Sequence, residues 1–283
     1  MKELSRAQEI DRSIIREFRV SIWNAFTKAV KTYELIQPGD RIAVCVSGGK
    51  DSMLMAKCMQ HFQKYGNIPF KLEFLCMNPG YAEENWNQIQ KNAEILQLPL
   101  RTFQTRIFEV VNKQERHPCY LCARMRRGHL YEAAKNLGCN KIALGHHFDD
   151  VIETILMGML YGSQTQTMMP KLHSANFSGM ELIRPLYFMR EADVIQWAEF
   201  HHLKFIQCAC RMTQEHPEQE TASKRKETKA LIVQLNPDVE KNIFNSVCNV
   251  NLRTIISYHD GDEYHHFLDH YADGLPLTGG SKA

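Results

Sequence analysis

An apolar run that breaks into a short polar turn constrains this chain more tightly than any other feature. Residues 42–46 read Ile-Ala-Val-Cys-Val, and residues 47–52 read Ser-Gly-Gly-Lys-Asp-Ser. The run suits a buried parallel strand, and the apolar positions that follow have helical spacing. A glycine-rich turn between a strand and a helix presents backbone N–H groups to an anion, and its glycines permit close approach. The turn therefore predicts a phosphate site, to which two serine hydroxyls and Lys50 contribute.

The spacing of this turn differs from that of the common phosphate loop. Too few residues precede Lys50 for the G-x-x-x-x-G-K-[ST] pattern of P-loop NTPases. The turn matches S-G-G-x-D-S and so resembles the signature of the PP-loop ATP pyrophosphatases. That resemblance implies an enzyme that splits ATP between the α and β phosphates and adenylates a substrate oxygen. The alternative is an ordinary strand–turn–helix connection with a solvated Lys50–Asp51 pair.

Apolar runs and helical patterns alternate along the chain. Strands are predicted over residues 42–46, 70–77, 98–103, 141–144 and 182–188. Helices are predicted over residues 11–35, 51–65, 82–96, 122–137, 191–201 and 238–249. This alternation is the signature of an α/β fold with a doubly wound parallel sheet, which binds ligands at the carboxyl ends of its strands.

The composition of the chain limits where the protein is expected to be located and which partners it is expected to bind. No apolar run approaches the length of a membrane span, and no apolar segment follows the basic N-terminus, so we expect a cytoplasmic protein with no membrane partner. The net charge is only +2, so a nucleic acid would have to be held by a local basic surface.

Nine cysteines in a chain of this kind are expected to be packing residues, redox groups or metal ligands rather than disulfides. Cys119 and Cys122 form a C-x-x-C, and Cys208 and Cys210 form a second pair. Four sulfurs would suit a structural zinc site, whereas three would hold a [4Fe–4S] cluster and leave one iron open to a sulfur donor. The remaining cysteines lie in apolar patterns and are read as buried packing residues: Cys45, Cys58, Cys76, Cys139 and Cys248.

A third motif, Leu-Gly-His-His-Phe-Asp-Asp over residues 144–150, ends the fourth predicted strand. Gly145 permits close backbone approach there. Asp149 and Asp150 would hold Mg²⁺ or position a nucleophile beside a triphosphate. Their alternative role is that of ordinary first-turn helix carboxylates.

These motifs together resemble the tRNA 2-thiocytidine synthetase family of PP-loop, HUP-like enzymes. The likeness spans roughly residues 37–251 and includes Met-Pro-Lys-Leu at 169–172, Ile-Arg-Pro-Leu at 183–186 and Arg190-Glu191. It implies three parts: a helical extension over 1–36, a PP-loop domain with the iron–sulfur site over 37–210, and a helical extension and tail over 211–283. It also implies adenylation of the C2 oxygen of a tRNA pyrimidine, most simply cytidine, followed by displacement of AMP by sulfur.

The resemblance carries roles onto individual residues. ATP would be bound by Ser47, Gly48, Gly49, Lys50, Asp51, Ser52 and Gly145, with the backbone of Met77 facing adenine. Lys50, Asp149 and Asp150 would be catalytic, the two aspartates through Mg²⁺ or by assisting transfer. The cluster ligands would be Cys119, Cys122 and one of Cys208 and Cys210, because the family's second C-x-x-C is one residue shorter here. A cysteine-desulfurase-type protein would supply sulfur, and a homodimer is left open.

Basic residues directly after Cys122 suit a tRNA partner. On a helix Arg124 and Arg127 share a face, with Arg126 to the side, so the first two are predicted to hold backbone phosphates. Ordinary solvated arginines are the alternative. Two rival functions stay open: a PP-loop enzyme that thiolates or amidates a small molecule, and a degenerate redox-sensing module. His266 and His270 are predicted to share a helix face in a solvated tail.

Overall fold

A computed structural model describes residues 4–111, 118–206 and 220–273, and its centre is a six-stranded sheet. The strands of this sheet are β1 (Arg41–Cys45), β2 (Lys71–Asn78), β3 (Leu100–Gln104), β4 (Lys141–Ala143), β5 (Lys171–His173) and β6 (Glu181–Ile183). Their spatial order is β3-β2-β1-β4-β6-β5, and only β5 runs antiparallel to its neighbour. A separate hairpin joins β7 (Ser257–Asp260) and β8 (Glu263–His266).

The predicted doubly wound parallel sheet is confirmed. The middle of β1 is fully buried because helices cover both faces of the sheet, which explains its continuous apolar sequence. The strand order reverses between β1 and β4, and this switch point opens a crevice at their carboxyl ends. The last predicted strand, over 182–188, was too long: β6 ends at Ile183 because Pro185 follows closely and cannot donate to a ladder.

Helices cover the sheet on both sides. They are α1 (Arg6–Ile15), α2 (Ala25–Thr32), α3 (Lys50–Tyr65), α4 (Glu83–Leu96), α5 (Ile107–Val111), α6 (Pro118–Asn136), α7 (Phe148–Gly162), α8 (Glu191–Phe200), α9 (Glu220–Val233) and α10 (Pro237–Ser246). Three shorter turns are a π-helix at Arg19–Asn24 and 3₁₀-helices at Leu252–Thr254 and Phe267–Asp273. No helix in these ranges is both long and apolar enough to cross a membrane.

The single N-terminal helix predicted over 11–35 is wrong, because α1 and α2 are separate. The chain leaves helical geometry at Arg16, where φ is −118° and ψ is −81°. A wide hydrogen bond then runs from the N–H of Phe18 to the carbonyl of Ser13, at 2.9 Å. The extra residue of such a π-type turn shifts the helical phase, so that Ile14 and Ile22 can both be buried.

The C-terminal region also differs from expectation. Helix α9 falls in a charged stretch that the apolar pattern did not identify, because few of its side chains are buried. His266 ends strand β8 and His270 lies in a 3₁₀ turn, so the predicted shared α-helical face does not exist. Residues of α1, α2 and α10 share one buried apolar cluster with β1 and α3. The three-part division of the chain remains a prediction.

Beneath the amino end of the sheet lies a buried ammonium group. Lys141 Nζ is 2.8 Å from Asp40 Oδ2 and 3.2 Å from Glu181 Oε2, and it donates to the carbonyl of Leu35 at 3.1 Å. Lys141 and Asp40 are only 3% and 5% exposed, so neither charge can be solvated by water. The two ion pairs and the hydrogen bond of Lys141 connect β4 and β6 to the segment that precedes β1.

We expect Lys141→Met to lower the free energy of unfolding by about 3–5 kcal/mol, because it leaves the buried Asp40 carboxylate without its cation. Urea unfolding measures the change. The matched control is Lys91→Met on the exposed side of α4, for which we expect a change of less than about 0.5 kcal/mol. Equal effects of the two substitutions would contradict this account.

Candidate functional site

The turn between β1 and α3 forms a tight cradle. Gly48 has φ +90°, and a Cβ added there would lie 2.4 Å from Ile89 Cγ1. The Ser52 hydroxyl donates to the carbonyl of Gly49 at 2.9 Å and accepts from the N–H of Ser47 at 3.1 Å. One hydroxyl thus joins both ends of the turn. Gly49 caps α3 without a side-chain hydrogen bond, which leaves the first-turn N–H groups for an anion.

Gly145, at the end of β4, lies directly against this turn. A Cβ added at Gly145 would come within 3.1 Å of the carbonyl carbon of Asp51 and of the Ser52 nitrogen, both backbone atoms that cannot yield. Two adjacent strands therefore deliver their carboxyl-terminal loops to one point. The sequence prediction of a close approach at Gly145 agrees with this placement.

A cavity of about 340 Å³ opens at this point. Its walls come from the β1 turn, the ends of β2 and β4, and one side of α6. Of the residues predicted to bind ATP, five line the cavity: Ser47, Asp51, Ser52, Met77 and Gly145. The remaining three, Gly48, Gly49 and Lys50, belong to the same turn but are not among its lining residues.

Helix α6 presents two arginines to the cavity, and they are not the predicted pair. Arg126 and Arg127 line it, whereas Arg124 is exposed and lies outside it. Ala123, Arg126 and Arg127 are three and four residues apart and share the side of the helix that lines the cavity, whereas Arg124 lies beside Arg127 but outside the lining. The prediction that Arg124 and Arg127 hold backbone phosphates stays a prediction.

Arg126 is also tied to the phosphate turn through a side chain that the sequence did not single out. Its Nη2 donates to the Tyr81 hydroxyl at 3.2 Å, and that hydroxyl donates to the carbonyl of Ser47 at 3.4 Å. The Tyr81 ring packs edge-on against Phe108, with the ring centroids 5.7 Å apart. Helix α6 and the phosphate turn are therefore connected through one tyrosine.

The C-x-x-C lies within α6, not before it as the sequence suggested, because the helix already begins at Pro118. Cys122 is half-buried and packs against the apolar cluster of Met77, Ile107 and Val111, close to the cavity wall. Cys208 and Cys210 lie outside the described residues, so the third predicted ligand has no placement here.

The remaining cysteines follow the packing prediction with one exception. Cys45, Cys58, Cys76 and Cys139 are buried. Burial raises the pKa of Cys45 and of Cys76 to about 12, so these thiols stay protonated at neutral pH. Cys248 is exposed, because the chain has already left α10 at Ser246 and turns along the surface.

The two predicted catalytic aspartates begin α7, and both are paired with arginines. Asp149 accepts hydrogen bonds from Arg190 Nε at 3.2 Å and from the N–H of Glu191 at 2.7 Å. Asp150 accepts from the N–H of His147 at 3.0 Å and from Arg225 Nη2 at 2.6 Å. Both therefore lie in the first turn of α7 with each carboxylate oxygen hydrogen-bonded, and their catalytic role stays a prediction.

Lys50 is paired across the site with a glutamate. Its Nζ lies 2.9 Å from Glu191 Oε1, and Lys229 Nζ from α9 lies 3.4 Å from Glu191 Oε2. Burial alone would raise the pKa of Glu191, but the hydrogen bond and charge of Lys50, with Lys229, lower it to about 2. Glu191 is therefore ionised at neutral pH.

The carboxylates that could hold a cation differ in whether their oxygens already accept hydrogen bonds. Asp51 Oδ1 is buried and accepts no hydrogen bond, although Lys50 Nζ lies 3.3 Å away. Asp149 and Asp150 are each bonded to a guanidinium. Within the described ranges, no three His, Cys, Asp or Glu side chains converge in a preformed metal site. Of these three aspartates, Asp51 is therefore the one with a carboxylate oxygen that accepts no hydrogen bond.

Several side chains of the site could not be recognised as functional from the sequence pattern. Arg225 and Lys229 lie in a charged run that resembles an ordinary solvated helix, and Tyr81 is a lone aromatic residue after β2. Only Glu191 belonged to a stretch already noted, Arg190-Glu191, although without a role.

Comparison with known families agrees with this geometry. A profile described as a PP-loop domain matches residues 20–215. The chain belongs to the PP-loop domain family. The turn from Ser47 to Ser52 lies inside the matched region, so the phosphate cradle is the PP-loop of this family.

Relatives of this PP-loop protein share a name. A tRNA-cytidine(32) 2-sulfurtransferase from Neisseria meningitidis is 37% identical over 191 residues, which is 65% of this chain and 59% of the relative. One from Vibrio cholerae is 35% identical, covering 73% of this chain and 66% of the relative. One from Vibrio campbellii is 33% identical, covering 83% and 78%. The match thus spans about three-fifths of the length of the Neisseria relative.

A solved structure shares the fold. The U34-tRNA thiolase NcsA from Methanococcus maripaludis, described with its [4Fe-4S] cluster, superposes with a TM-score of 0.52 at 22% identity. The superposition covers 75% of this chain and 79% of that one.

The low pKa of Glu191 has a consequence for stability. Its value of about 2 lies below the ordinary 4.5, so its ion pairs stabilise the fold fully above pH 4.5 and are lost as the pH falls toward 2. We expect Glu191→Gln to lower the free energy of unfolding at about pH 7 and to cost clearly less near about pH 3. Urea unfolding at both pH values measures this, and a deficit independent of pH would contradict it.

Proposed function

We propose that this protein is an ATP-dependent sulfurtransferase that replaces the C2 oxygen of a tRNA cytidine with sulfur. The name tRNA-cytidine(32) 2-sulfurtransferase, borne by relatives at 33% and 37% identity, supports the substrate and the reaction. The observation that carries the proposal is one cavity, in which PP-loop residues face Arg126 and Arg127 from the cysteine-bearing helix α6. A nucleotide and an RNA strand would meet there.

ATP would activate the base. The first-turn N–H groups of α3, together with Lys50, would bind its phosphates, and the backbone of Met77 would face adenine. In the first step the C2 oxygen bonds to the α-phosphorus, and the bond from that phosphorus to pyrophosphate breaks. In the second step sulfur bonds to C2, and the C2–oxygen bond breaks so that the oxygen leaves with AMP. Lys50 would balance the charge that develops on the departing pyrophosphate.

Mg²⁺ suits this reaction because it binds carboxylates and phosphate oxygens together. Asp51 fits such an ion through its Oδ1, which accepts no hydrogen bond and lies 3.3 Å from Lys50 Nζ. To bind the ion, Asp149 and Asp150 would have to release the guanidinium groups of Arg190 and Arg225. When bound, the ion would neutralise phosphate charge.

A [4Fe–4S] cluster suits the thiols of α6. Cys119 and Cys122 lie in the first turns of that helix, whose amino-terminal dipole favours thiolates, and the third ligand would be Cys210 or Cys208. A cluster held by three thiolates supplies an iron at which sulfur can bind. We propose a cysteine-desulfurase-type protein as the sulfur donor and the cytoplasm as the place of reaction.

The arginines of α6 would hold the RNA. Arg126 is half-buried and held by Tyr81, so its guanidinium is preorganised at the cavity wall, and Arg127 extends the charge outward. Guanidinium groups bind phosphates in a bidentate manner, which suits an RNA backbone. With a net charge of only +2 on the whole chain, this local pair is where we expect the RNA contact.

The test is nucleoside analysis of tRNA from a strain that lacks this gene. We expect 2-thiocytidine to disappear in the deletion strain and to return with the wild-type gene. Lys50→Ala should not restore it, because the phosphate charge is left unbalanced, and Arg126→Ala should restore it poorly. Arg124→Ala is the matched control, since it removes the same charge from the exposed side of α6 and should restore the nucleoside fully.

Unchanged thiolated pyrimidines in the deletion strain, without a second gene of this family, would contradict the proposal. They would favour the alternative of a small-molecule acceptor. Equal failure of Arg124→Ala and Arg126→Ala would contradict the specific role given to Arg126.

The proposed cluster has its own test. Protein purified without oxygen should be brown and hold about four iron and four sulfide per chain. Cys122→Ala should abolish the colour, whereas the buried Cys58→Ala should retain it and serves as the control. Stoichiometric zinc without sulfide would show that the site is a structural zinc site instead.

A further inference from the structure

Glu191 is shared by two lysines that come from different parts of the chain. Lys50 belongs to the PP-loop, and its Nζ is 2.9 Å from Glu191 Oε1. Lys229 belongs to α9, and its Nζ is 3.4 Å from Glu191 Oε2. We propose that Lys229 is a positioning residue of the nucleotide site, which neutralises Glu191 when Lys50 turns to the phosphates. This inference rests on the proposed binding of ATP.

To bind a phosphate, Lys50 must give up at least part of its pairing with Glu191. A lysine that pairs with an ionised carboxylate binds a phosphate only by leaving that carboxylate or by sharing itself between two anions. The Lys50 side chain is 24% exposed and that of Glu191 is 30% exposed, so water solvates both charges only in part. An unpaired Glu191 would therefore compete with the phosphates for Lys50.

The backbone of Glu191 is held beside the PP-loop. It begins α8, and its N–H donates to Asp149 Oδ2 at 2.7 Å. Asp149 in turn is bonded to Arg190, which also pairs with Glu240 at 2.5 Å. Because the backbone of Glu191 is held in this way, only rotation of its side chain can take the carboxylate away from the PP-loop, and the contact with Lys229 opposes that rotation.

Lys229 can take over the pairing with Glu191 without leaving Glu153 unpaired. It lies 3.2 Å from Glu153 Oε1 as well as near Glu191. Glu153 has a second cation, Arg225, whose Nε is 2.7 Å from Glu153 Oε2. A small shift of Lys229 toward Glu191 therefore leaves the buried Glu153 paired.

Helix α9 is packed firmly enough to supply this charge at a fixed place. Thr228 and Ile232, on either side of Lys229, are buried against the rest of the protein. Arg225 and Lys229 are four residues apart and lie on one face of the helix, toward α7 and α8. The exchange needs a side-chain movement only.

The test is a double-mutant cycle read out by binding of α,β-methylene-ATP, which cannot be split between the α and β phosphates. Lys229→Ala should weaken its binding about fivefold, the low end of ordinary coupling between sites. In a Glu191→Gln background the same substitution should have almost no effect, because no carboxylate then competes for Lys50. Lys229→Arg should restore binding, and adenosine, which lacks phosphates, should bind all variants equally.

Lys226→Ala is the control, since it removes an exposed charge from the same helix and should leave binding unchanged. Thermal unfolding of each variant separates folding from binding. An equal loss of affinity from Lys229→Ala in both backgrounds would overturn the inference, because it would show that α9 acts through packing. A wild-type protein that fails to bind the analogue would overturn the proposed function, and the inference with it.

Discussion

The close approach of Gly145 to the first turn of α3 is the constraint on which the site depends. Since β1 and β4 are neighbours in a parallel sheet, the loops that follow them leave the sheet at the same edge. Only a residue without a Cβ lets the second loop contact the backbone of Asp51 and Ser52. The loop after β4, which leads directly into α7 and its two aspartates, is brought to the phosphate turn by that contact.

The carboxylates around the phosphate turn are paired with lysines and arginines from other parts of the chain. Three carboxylates near the PP-loop have a cation from another element: Asp149 has Arg190, Asp150 has Arg225, and Glu191 has both Lys50 and Lys229. Pairs of this kind position side chains more than they stabilise the fold, because desolvation offsets much of their attraction. The phosphate turn is therefore held in an environment whose charges can be redistributed among several partners.

The fold and the turn were predictable from sequence because both depend on local patterns. Continuous apolar runs identify buried parallel strands, and the residue types from Ser47 to Ser52 are by themselves the signature of the turn. The break between α1 and α2 was not predictable from the apolar pattern. The π-type turn at Phe18 inserts an extra residue, but apolar residues continue to face the core on both sides of it. Long-range pairs such as Lys229 with Glu191 have no local signature at all. Which arginines of α6 line the cavity depends on how α6 docks, which helical spacing alone does not define.

Tyr81 has a consequence for how the cavity opens. A tyrosine side chain has few torsions, and this one is packed against Phe108 while its hydroxyl joins Arg126 to the backbone of Ser47. The wall formed by α6 and the wall formed by the phosphate turn are therefore joined by a chain of two hydrogen bonds through one side chain. Widening the cavity between these walls would require that at least one of the two bonds be broken, so Tyr81 acts as a strut that limits how far the cavity can open.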